Sequence, residues 1–63
     1  MGQGLLKCFQ FAEANGGLPV VMRVAMKTGV QSNKAADAPD DPATIAKAKE
    51  VIKEAIGKDV PGV

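Results

Sequence analysis

Apolar and polar positions divide the chain into three periodic stretches. From about Gln3 to Asn15, Leu5, Cys8, Phe9 and Ala12 recur at i, i+3, i+4 and i+7, the spacing of one helical face. Gln3, Lys7 and Gln10 fall opposite, and Leu6 and Phe11 flank the apolar stripe. Asn15-Gly16-Gly17 then supplies residues that tolerate the left-handed conformation closing a helix.

The stretch Leu18–Thr28 fits two patterns. As a helix, Leu18, Val21, Met22, Ala25 and Met26 share one face and Arg23 and Lys27 the other. As a strand, Val20, Met22, Val24 and Met26 alternate with Val21, Arg23, Ala25 and Lys27, and three valines favour extended backbone. Pro19 suits the first helical turn, where its missing N–H costs nothing. Gly29 is placed to cap the C-terminus, and the two cations sit toward the negative end of the helix dipole. A strand would also lack a partner, because no other run is strand-like. Helix is the expectation.

The third stretch opens on Asp41-Pro42, an N-cap followed by a proline at the first helical position. Ile45, Ala48, Ile52, Ala55 and Ile56 form its stripe, with Val51 alongside. Charged residues cover the rest, including Glu54 and Lys58 in the favourable i, i+4 order. Gly57 ends it, and Asp40 is expected to complement the helix dipole. The pattern therefore predicts an all-α fold: a small bundle with helices at about 3–15, 18–28 and 42–57, and room for a short helical turn at 32–36. Residues 1–63 read as one domain, with 58–63 as a frayed C-terminal tail.

Composition narrows this picture. At 63 residues, stability must come from well-packed helices or self-association, because one cysteine forms no internal bridge. The absence of histidine removes the commonest general base and the usual structural zinc sites. With only Phe9 and Phe11 as aromatics, stacking platforms for single-stranded nucleic acid are disfavoured. The net charge of +1 argues against a strongly cationic binder, although residues 1–34 carry +3 and residues 35–63 carry −2.

No run approaches the ~20 apolar residues that span a bilayer, so no membrane partner is expected. The first ten residues lack the charged start and apolar run of a secretory signal. Met1-Gly2 opens a partial myristoylation pattern, but Leu6 stands where serine or threonine belongs. A reducing, cytoplasmic location suits the lone thiol.

Little of this supports catalysis. Cys8 lies on the apolar stripe without an activating base, so it reads as a small core residue. Asp37, Asp40 and Asp41 are spaced three then one, unlike the alternating ligands and central glycine of a calcium loop. Three short helices promise little concave volume for a substrate. No catalytic residue, metal site or cofactor is expected, and the protein reads as a non-enzyme.

Two binding functions remain. Val24-Ala25-Met26-Lys27-Thr28-Gly29-Val30-Gln31 resembles the first helix and turn of a helix-turn-helix. Asp41-Pro42-Ala43-Thr44 through Ile56-Gly57 resembles the third helix of the LacI-type repressor headpiece. The resemblance implies a DNA-binding module using residues 24–37, with Gln31, Ser32, Asn33 and Lys34 as the base-reading contacts. Pro39 would then cut the recognition helix short, the Asp37-Asp40-Asp41 patch would repel phosphate, and the helix at 3–15 has no counterpart in that headpiece. Nucleic acid is therefore the disfavoured alternative. The preferred function is a protein–protein interaction or accessory module, whose partner is another protein or a second copy in a homodimer. Leu6, Phe11, Val20 and Val24 lie off the main stripes and form its candidate interaction surface, with core packing as the competing role.

Overall fold

The computed structural model describes residues 3–38 and 40–63. Met1 and Gly2, which open the partial lipidation pattern, and Pro39, the expected helix breaker, lie outside the described residues. Helix α1 spans Gln3–Gly16, α2 spans Leu18–Thr28 and α3 spans Pro42–Ile56, with a 3-10 turn at Ser32–Lys34. The expected all-α bundle forms, and no strand occurs among the described residues.

Local chemistry accounts for the breaks. Gly17 alone links α1 to α2, at φ 70 and ψ −160, a conformation essentially reserved for glycine. Helix α2 ends on Gly29 and α3 on Gly57, both left-handed, each donating its N–H back into the last turn. Asp41 caps α3 as expected, its Oδ1 accepting from the Ala43 N–H at 3.0 Å, with Pro42 at the first position.

Each helix packs against the other two. Leu5, Cys8, Phe9 and Ala12 of α1 meet Ala48, Val51 and Ile52 of α3, as their spacing predicts. Val21 and Val24 supply the contribution of α2, and Ala35, just past the 3-10 turn, joins the same cluster. Each large side chain buried here contributes roughly 1.5–3 kcal/mol.

Four expectations are corrected. Helix α2 buries Val21 and Val24, with Val20 and Ala25 partly covered, and exposes Leu18, Met22 and Met26. Its inward face is thus rotated by roughly 70° from the one the charge pattern implied, at about 100° per residue. The tail is not frayed: Val60 is buried, Val63 packs on the core, and Lys49 Nζ donates to the Val63 carbonyl at 2.6 Å. Because α3 stops at Ile56, Lys58 falls beyond the helix; among the described residues the ion pair that forms is Lys53–Asp59 at 4.0 Å. Asp40 serves α1 instead of α3, its Oδ1 accepting from Gly4 N–H at 2.9 Å and Leu5 N–H at 3.3 Å.

Candidate functional site

Helix α2 is apolar at most positions, so packing against two neighbours can hide only part of its apolar surface. Val21 and Val24 take the inward arc, because compact β-branched side chains allow close approach to α1 and α3. Leu18, Met22 and Met26, at i, i+4 and i+8, are left as a stripe about 12 Å long on the outer arc. They are 68%, 55% and 80% exposed, and they are the large hydrophobic residues most open to solvent among those described. Pro19, Arg23 and Lys27 border Met22 and Met26 in a shallow trough. Both cations are exposed, and neither has a carboxylate within ion-pair distance among the described residues. No acidic residue occurs between Glu13 and Asp37. The outer arc is therefore apolar along its centre and cationic along one edge.

The interaction surface expected at Leu6, Phe11, Val20 and Val24 does not form as such. Val24 is fully buried, while Leu6, Phe11 and Val20 are half-buried against the core. The signal that could have found the exposed face of α2 was Val20, Val21 and Val24 lying together on one arc, set against the long, unbranched methionines. Leu6 keeps a partial role. With Leu18 and the buried Phe9 and Val21 it lines an open groove of about 400 Å³ between α1 and α2, rimmed by Gln10, Glu13, Ser32 and Asn33. That is more concave volume than expected from three short helices, but Glu13 is the one titratable group in its lining.

Gln31, Ser32, Asn33 and Lys34 are all exposed. Ser32–Lys34 form a single 3-10 turn, followed by hydrogen-bonded turns through Ala38. At about 2 Å rise per residue this turn is roughly 6 Å long. No recognition helix of two turns follows α2.

Cys8 is buried, and removal from water pushes its thiol pKa up, against a smaller opposing effect of Lys49. A protonated, enclosed thiol is a poor nucleophile. The three aspartates do not converge. Asp40 is committed to α1 and Asp41 to α3, and no cluster of three metal-ligating side chains occurs among the described residues. The Gly4 N–H, aided by that of Leu5 and opposed by partial desolvation, holds the Asp40 carboxyl below the usual carboxylate range.

A scan of protein-family models finds no matching family, and neither the curated proteins nor the solved structures yield a match. No helix among the described residues is long and apolar enough to cross a membrane.

Proposed function

We propose that the chain is a non-enzymatic docking module that binds another protein through the outer face of α2. The observation carrying this is the exposure of Leu18, Met22 and Met26 on one stripe of a helix whose opposite arc is buried. Exposed apolar residues scattered singly need no explanation, but a contiguous stripe with a charged border is typical of an interaction surface. Methionine suits the task, since its flexible, polarizable side chain fits varied partner surfaces. A cytoplasmic setting accords with the single thiol.

A helix-turn-helix role draws less support. Reading bases in the major groove takes a helix that lies along it, and a turn of roughly 6 Å offers little such length.

Photo-crosslinking tests the docking role. A photoreactive amino acid at position 26 is compared with the same probe at position 47, on the exposed side of α3. Adducts to another protein from position 26 alone are expected. Equal adducts from both positions, or adducts only to a second copy of the chain, defeat it.

A further inference from the structure

We infer that the partner of the α2 face is an acidic amphipathic helix. The inference rests on the docking role proposed above and adds the chemistry of the occupant. A stripe at i, i+4 and i+8 matches the apolar repeat of another helix, so two such helices can pack along one another. Arg23 and Lys27 are themselves i and i+4, on one edge of that stripe, where they meet the flank of a helix laid alongside. A partner carrying Glu or Asp at matching positions supplies the charge complement that this chain lacks between Glu13 and Asp37.

Two other occupants fit less well. A two-fold pairing of the face with itself brings together two segments that each carry cations and no acids. An anionic membrane is recognised through clusters of roughly four to eight cations, and this edge has two.

Selection from a displayed library of randomised amphipathic helices tests the partner chemistry without presupposing a sequence. The wild-type chain should enrich helices with acidic residues beside the apolar positions. Arg23→Glu/Lys27→Glu should weaken those binders about tenfold, the effect of losing two surface ion pairs. The same double variant, used as bait, should enrich lysine- and arginine-bearing helices instead. All four substituted positions are exposed, and circular dichroism verifies that each variant folds. Binding without acidic bias that is lost in Met22→Glu/Met26→Glu overturns the acidic partner and leaves the docking face standing. Binders indifferent to both double variants, or no enrichment at all, overturn the docking face as well. Self-association abolished by Met22→Glu/Met26→Glu, or tighter binding to phosphatidylserine vesicles than to any selected helix, also overturns the acidic helix as occupant.

Discussion

The Asp40 carboxylate caps Gly4, a residue 36 positions earlier, at 2.9 Å from its N–H. The start of α1 is thereby tied to the long connection between α2 and α3. Two adjacent aspartates serve different helices: Asp40 holds the N-terminus of α1 and Asp41 that of α3. Gly4 leaves the required room, since a Cβ there would lie 2.9 Å from Ile45 Cδ1 and 3.4 Å from Asp40 Oδ1.

This cap makes stability depend on acid. The folded-state pKa of Asp40 lies below its unfolded value. Its contribution is therefore present above about pH 4 and is lost as pH falls through the folded value. Asp40→Ala should lower the denaturation midpoint at neutral pH, and Asp40→Asn, which keeps an acceptor, should lower it less. Urea melts across pH check this: the gap between wild type and Asp40→Asn should close in acid, and a pH-independent gap would refute the assignment.

Gly16 is where all three helices meet. A Cβ there would overlap Val20 Cγ2 and lie 2.8 Å from the Cβ of Val20 and 3.3 Å from Ile56 Cγ2. Gly16→Ala should cost about 1–3 kcal/mol, despite the better helix propensity of alanine, because the junction must open. In the Val20→Ala background the penalty should shrink, and a double-mutant cycle by chemical denaturation measures that coupling.

The two faces of α2 should respond in opposite ways. Met26→Glu places a charge at a position 80% exposed and should change stability by no more than about 0.5 kcal/mol. Val24→Ala empties space at a position with no exposure and should cost about 1–3 kcal/mol. Thermal melts of the pair decide the orientation of the helix; a destabilised Met26→Glu would mean that the face is packed.

The C-terminal segment is a structural part of the bundle. Val60→Ala should cost about 1–2 kcal/mol, since Val60 is only 6% exposed. Removing residues 58–63 should cost more than that substitution, as Val63 and its bond from Lys49 are lost too. A truncated chain melting like the full one would return the segment to a loose tail.

The sequence by itself determined the helices. Their buried stripes on α1 and α3, the Asp41-Pro42 start and the glycine stops are local features, written in residues a few positions apart. Periodicity could not orient α2, because a helix apolar nearly all round offers several faces to the core. The choice fell to shape, with valines packing inward between two neighbours and methionines left outside. The partner of Asp40 was equally invisible, since a free N–H on Gly4 and a carboxylate 36 residues away meet only when the chain folds back. The same holds for Val60, which is buried only as part of a core cluster assembled from residues distant in sequence. What only the tertiary structure decided, then, were contacts distant in sequence, and which side of α2 stays exposed.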